Sequence, residues 1–200
     1  SLIDDVRIYN HALSQKEVKE LSRAKALHYD FDSFQEPTTN LVTDPLITSS
    51  IPTSTAGGTF GSWTFNTWQG YTHTVIDSDR GIGKALLINA NSSGSEQDLF
   101  CAGCANSAIS TPATISVYAK GSGSITLKAQ WGGSLVINLT SLLTRYSWTS
   151  TKGTTAGHYF YVDCGGLGTT GWAQIEGLQL EQKDHATPFV NSSRTGIVRD

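Results

Sequence analysis

The residues with the most chemistry to offer in this chain are aromatic. A sugar presents a C–H face that stacks on an exposed aromatic ring, and its hydroxyls take planar polar partners such as Asn, Gln, Asp or Arg. Trp63, Trp68 and Tyr71 cluster in a Gly-rich stretch where loops at a sheet edge could present them. Tyr118, Tyr159 and Tyr161 alternate with apolar neighbours, which places them on strand faces opposite the core, and Lys120, Lys128, Gln130 and Asp163 are polar companions on such faces. The candidate glycan-binding set is therefore Trp63, Trp68, Tyr71, Tyr118, Gln130, Tyr159, Tyr161 and Asp163. Packing competes for the same residues, because sandwiches bury tryptophan and tyrosine is common in strands. Trp148 and Trp172 are assigned to packing.

Other chemistries find less. A glycosidase needs two carboxylates across a cleft, and Asp77, Asp79, Glu96, Asp98, Asp163 and Glu176 are scattered with nothing in the sequence to pair them. There is no Gly-x-Ser-x-Gly elbow, phosphate loop or His-Glu-x-x-His, so no catalytic residue is assigned and the chain is read as non-enzymatic. Cys101-Ala-Gly-Cys104, with Cys164 and His158, offers only one short-spaced pair where zinc wants four converging ligands. Free thiols or one local disulfide account for the cysteines, and neither metal nor cofactor is expected. A net charge of −3 argues against a nucleic-acid groove, which needs a basic stripe. No apolar run is long enough for a spanning helix, so membrane insertion is not expected.

The elements that must carry these residues are short strands. Ile115, Val117 and Ala119 point one way in Thr114–Lys120, with Ser116, Tyr118 and Lys120 opposite. Gly121-Ser-Gly123 reads as a turn, and Ile125, Leu127 and Ala129 continue the alternation as a hairpin partner. Further strands are expected at 135–139, 146–149 and 158–163. A last one runs over 172–180 with a bulge at Gly177, since Ile175 and Leu178 cannot share a face in regular pleating. Short strands at regular spacing indicate a sandwich or barrel. Before them, residues 2–9 and 26–32 read as two more strands. Ser14-Gln-Lys-Glu17 is a capping box that opens the one short helix expected. The chain begins at Ser1 and contains no Met, which reads as an excerpt of a longer polypeptide.

Several stretches resemble known families. Ile3-Asp-Asp-Val-Arg-Ile-Tyr-Asn-His-Ala-Leu-Ser14, leading into the capped helix, resembles the end of a laminin-G/concanavalin-like lectin domain. Asn40-Leu-Val-Thr-Asp-Pro45 resembles the first strand of jelly-roll carbohydrate-binding modules, with Trp63 fitting the tryptophan usual at some distance after it. Ile115–Gly121, Thr144–Thr149 and Trp172–Glu181 resemble later strands of such modules, in family order. Leu178-Gln-Leu-Glu181 with Ala186-Thr-Pro-Phe-Val190 resembles the closing motif of such modules in bacteriophage tail and virion proteins. The acidic residue that often supplies structural calcium near the first strand is not evident after Pro45.

These resemblances imply an all-β jelly-roll β-sandwich over residues 38–191. Residues 1–24 would close one lectin-like domain, and 25–37 would give the first strand of a second plus a linker. Residues 192–200 would return into that second domain, making the jelly roll an insertion. The function implied is a non-catalytic module of a phage tail, virion appendage or surface protein, located on the virion or extracellular surface. Its partners would be a cell-surface polysaccharide or glycan and other virion subunits, with a homo-oligomer compatible with the reading. Two alternatives stand beside it: a purely structural virion module making protein–protein contacts, and an accessory module of a larger hydrolase.

Overall fold

The computed structural model describes residues 36–53, 58–67, 71–91, 97–101, 112–129, 133–150 and 160–194. The expected strands at 2–9 and 26–32, the capped helix after Ser14, the loop through Cys104 and the return at 195–200 lie outside the described residues. By its contacts the chain divides after Phe34, and the described residues all belong to the unit from Gln35 onward.

That unit is built from antiparallel strands in two main sheets. One has five strands in the order β10 (Thr144–Ser150), β7 (Ala113–Ser122), β12 (Trp172–Glu181), β5 (Lys84–Ala90) and β4 (Tyr71–Asp77). The other has six: β2 (Gly58–Phe60), β3 (Trp63–Thr67), β6 (Gln97–Cys101), β11 (Phe160–Asp163), β8 (Ser124–Ala129) and β9 (Gly133–Asn138). A short pair, β1 (Thr38–Thr39) with β13 (Ser193–Arg194), brings the two ends of the unit together. The chain passes repeatedly from one sheet to the other, as in a jelly roll. The one helical turn among the described residues is a 3-10 turn at Gly165–Leu167.

Alternation of apolar residues sets which side of each sheet faces inward. Ile115, Val117 and Ala119 of β7, Ile125 and Leu127 of β8, and Phe160 and Val162 of β11 are all buried in one core. Trp63, Phe65, Leu86, Ile88 and Leu99 complete it. The bulge expected in the last strand is present. Register shifts between Glu176 and Gln179 on β12, and Gly177 takes a φ of 59°. The extra residue lets Ile175 and Leu178 both be buried.

The hairpin expected between β7 and β8 does not form. The two strands lie in opposite sheets, and the chain crosses between them at Gly121–Gly123. Alternation alone could not separate the cases, because both strands send their apolar residues to the same core from opposite sides. The glycines make the crossing sterically open. A Cβ on Gly121 would lie 2.0 Å from the Trp172 carbonyl oxygen, and Gly123 has a φ of 96°.

The Asn40–Pro45 stretch is a clamp. Asn40 Nδ2 donates to the Leu178 and Val190 carbonyls at 3.2 and 2.9 Å. Asn40 Oδ1 accepts from the Val42 and Leu180 amides at 3.0 and 3.1 Å. Asp44 accepts from the Thr48 and Ser49 amides at 2.7 and 2.8 Å. Burial works against its charge, yet the donors from Ser49 and Thr48 outweigh burial and hold its carboxyl below the usual range.

The closing stretch 182–190 is tied back onto β12. The Val190 amide donates to Gln179 Oε1 at 2.8 Å, and the Thr187 amide donates to Glu181 Oε2 at 3.0 Å. The Thr38 hydroxyl also donates to Glu181.

Candidate glycan-binding face

Strand parity places the polar and aromatic residues of the five-stranded sheet outside the core. Ala173 and Ile175 point inward from β12, so Trp172, Gln174 and Glu176 point outward. Register then builds rows across the sheet. Trp172 stands opposite Ser122 of β7 and Asn89 of β5, and Asn89 opposite Thr72 of β4. Gln174 stands opposite Lys120 and Leu87, and Leu87 opposite Thr74. Glu176 stands opposite Tyr118, and Tyr118 opposite Arg145.

Trp172 is half-buried and is absent from the hydrophobic core and from the residues packed against it. Its row supplies an indole, an amide and a hydroxyl across neighbouring strands, and Asn91 Nδ2 donates to the Thr72 hydroxyl at 3.2 Å. In the next row Lys120 forms an ion pair with Asp79, which holds the Asp79 carboxyl below its usual range. Trp172 thus lies outside the inward-facing core, without being among the large exposed hydrophobic residues. Trp148 does pack against the core, with Phe160 at a ring-centre distance of 6.4 Å. The signal for Trp172 was in the sequence: it alternates with Ala173 and Ile175.

The remaining candidates separate. Trp63 is 1% exposed and its indole N–H donates to the Asp44 carbonyl at 3.1 Å. Tyr71 is 0% exposed, with its hydroxyl 3.4 Å from the Gly165 carbonyl. Both rings are seated in the core, where no sugar reaches their faces. Trp68, Gln130 and Tyr159 lie outside the described residues. Tyr118 is half-buried on the outer face of the five-stranded sheet.

Tyr161 and Asp163 are half-buried on the outer face of the other sheet, so the structure does not bring them to Tyr118. There Asp163 Oδ2 accepts from Lys128 Nζ at 3.0 Å and Asp163 Oδ1 accepts from the Gly165 amide at 2.7 Å. Lys128 Nζ stands 5.8 Å from the centre of the Tyr161 ring.

Glu176 is 1% exposed and Asp79 is engaged by Lys120, so the outer face does not present them as a pair of free carboxylates flanking a scissile bond. Among the described residues no group of three or more His, Cys, Asp or Glu converges as a metal site.

No protein-family profile matches the chain, and no curated protein matches it. Solved structures do. The arabinose-bound α-L-arabinofuranosidase MgGH51 superposes with a TM-score of 0.53 at 15% identity, over 82% of this chain and 29% of that one. A variant of the family 29 carbohydrate-binding module CBM29-2 complexed with mannohexaose gives 0.43 at 11% identity, over 74% of this chain and 94% of that one. The enzymatically active domain of tailspike protein 4 of bacteriophage CBA120 gives 0.44 at 11% identity, over 60% of this chain and 19% of that one. The chain spans less than a third of the arabinofuranosidase and of the tailspike. At these identities the likeness to the arabinofuranosidase is one of fold: an antiparallel β-sandwich shared with part of a carbohydrate-active protein.

Proposed function

We propose that this chain is a non-catalytic glycan-binding module of a larger extracellular or virion-borne protein. The sugar would lie on the outer face of the five-stranded sheet. One observation carries the reading: Trp172 is set outside the core, in a row with Asn89 and Thr72. An indole left partly exposed on a regular strand keeps some apolar surface in water, and a sugar's apolar face would cover it. The amide and hydroxyl beside it match sugar hydroxyls. Tyr118 borders the same face. Tyr161 and Asp163 offer a smaller platform on the opposite face, while Trp68, Gln130 and Tyr159 remain candidates on the grounds of sequence.

A glycan array probed with the full chain tests this, with Trp172→Ala as the comparison and thermal unfolding to show that both are folded. Selective binding, lost on Trp172→Ala and kept on Tyr161→Ala, supports the five-stranded face. Loss on Tyr161→Ala alone moves the site to the other sheet. A folded chain that binds nothing on the array favours the structural alternative, in which these aromatics contact other subunits of an appendage. Attachment to a host surface, or targeting of a hydrolase in the same polypeptide, are the roles in which such a module would serve.

A further inference from the structure

On the same face, two rows along β12 from Trp172, stand two cations at Tyr118 with no carboxylate to neutralise them by contact. The Arg80 guanidinium carbon lies 3.9 Å from the centre of the Tyr118 ring and 4.6 Å from that of Phe189. Two aromatic rings therefore contact the guanidinium, which leaves its in-plane N–H groups as the donors to be satisfied. The Arg145 guanidinium carbon lies 5.6 Å from the same Tyr118 ring. Its Nη2 donates to the Ser116 hydroxyl at 2.8 Å, while its buried Nε–H has no protein partner. Neither arginine forms an ion pair among the described residues.

The nearby anions do not engage them. Asp79 is paired with Lys120. Glu181 takes its hydrogen bonds from Thr38 and Thr187. Glu176 stands opposite Tyr118, is 1% exposed, and neither of its oxygens is hydrogen-bonded. Burial and the proximity of Arg80 both disfavour the charge on Arg145, while Tyr118 and Glu181 favour it. Both guanidiniums stand at the Tyr118 ring and Arg80 disfavours the charge on Arg145, so an external anion bonded to them would balance positive charge that no ion pair balances. A carboxylate is the matching shape, because its two oxygens meet the planar fork of a guanidinium in a bidentate pair.

We infer that the ligand of this face is an acidic oligosaccharide, its sugar carboxylate held by Arg80 and Arg145 while a ring further along the same chain lies on Trp172, about 13 Å along the strand. This rests on the glycan-binding reading and names the class of glycan.

The test is an array carrying uronate- and sialate-containing glycans, each beside its carboxyl-reduced neutral counterpart, together with sulfated neutral glycans. It is probed with the full chain and with Arg80→Gln, Arg80→Lys, Arg145→Gln and Trp172→Ala. The expected result is binding to a carboxylate-bearing glycan and not to its reduced counterpart. Each Gln variant should weaken it roughly tenfold or more, with Arg80→Lys restoring only part of the loss. Trp172→Ala should abolish binding. Should Arg145→Gln fail to fold, Arg80→Gln decides. Equal binding of the reduced counterpart, unaffected by Arg80→Gln, overturns the acidic assignment and leaves the glycan-binding reading standing. Binding to sulfated glycans alone overturns the carboxylate assignment. A folded chain that binds nothing overturns both.

Discussion

Asn40 and Leu180 are 140 residues apart and hold the two ends of the module together: Asn40 Oδ1 accepts the Leu180 amide at 3.1 Å, and the Leu41 amide donates to the Leu180 carbonyl at 2.8 Å. The same side-chain amide also reaches Leu178, Val190 and Val42, so both its oxygen and its nitrogen are occupied. It is the hydrogen-bonded seam at the entrance and exit of the sandwich.

Replacing Asn40 by Ala removes all four side-chain bonds and leaves buried backbone groups unmatched. The expected cost is about 2–3 kcal/mol, read as a lower denaturant midpoint at unchanged slope. Asn40→Asp, which keeps the acceptor and loses the donors, should fall between the two. An unchanged midpoint for Asn40→Ala would show that the seam contributes nothing.

Gly177 links the fold to the proposed site. Its φ of 59° disfavours any side chain, and a Cβ there would lie 2.5 Å from Arg80 Nη1 and 3.1 Å from Tyr118 Cδ2. Gly177→Ala should destabilise the protein by about 1–2 kcal/mol from backbone strain. It should also displace Arg80 from Tyr118. The measurement is a denaturation curve beside the acidic-glycan array, and the expected signature is loss in both. Stability lost with binding intact would separate the bulge from the site.

His73 makes stability depend on pH. It is 0% exposed and stacks on Phe65 at a ring-centre distance of 4.2 Å. Burial pushes its pKa below the ordinary value of 6.5, with the Pro52 backbone partly offsetting. The folded state thus resists a proton that the unfolded state accepts. Stability from this group is complete above about pH 6.5 and falls as pH drops below it. His185 acts in the opposite sense. Its partners Asp184 and Glu36 raise its pKa, so its contribution is present below the unfolded value and lost as pH rises through the folded one. Denaturation between pH 5 and 8 should show a slope at the acid end that His73→Phe removes and His185→Gln leaves in place. A wild-type protein equally stable at both ends, with neither variant altering the profile, would contradict both assignments.

The sandwich was legible because its strands obey a two-residue period. Ile115, Val117 and Ala119 announce a buried face whatever sheet they join, and the clash between Ile175 and Leu178 announces the bulge at Gly177. Parity also separated Tyr118 and Tyr161 from the core. What parity within one strand does not contain is the identity of the facing sheet. Residues 125–129 carry the alternation of a hairpin partner to β7, yet the chain crosses at Gly121–Gly123 to the opposite sheet. An inward face looks the same from either side of a shared core.

The candidate site divides along the same line. Composition and alternation alone pointed to a β-sandwich with outward-facing aromatics and showed that the sequence lacks the motifs of the common catalytic classes. Only the tertiary structure decided which aromatics are available. Trp63 and Tyr71 sit in Gly-rich sequence that suggests an open loop, but β3 and β4 turn them into the core. Trp172 has the size of a core residue, but the pleat turns it outward beside Asn89 and Thr72. Arg80 and Arg145 are 65 positions apart and meet at Tyr118 only because β10, β7 and β12 are neighbours and the loop after β4 folds over them. Which face a side chain takes is a local property of the pleat. What shares that face with it is set by strand order, and strand order is settled by long-range packing across the whole core.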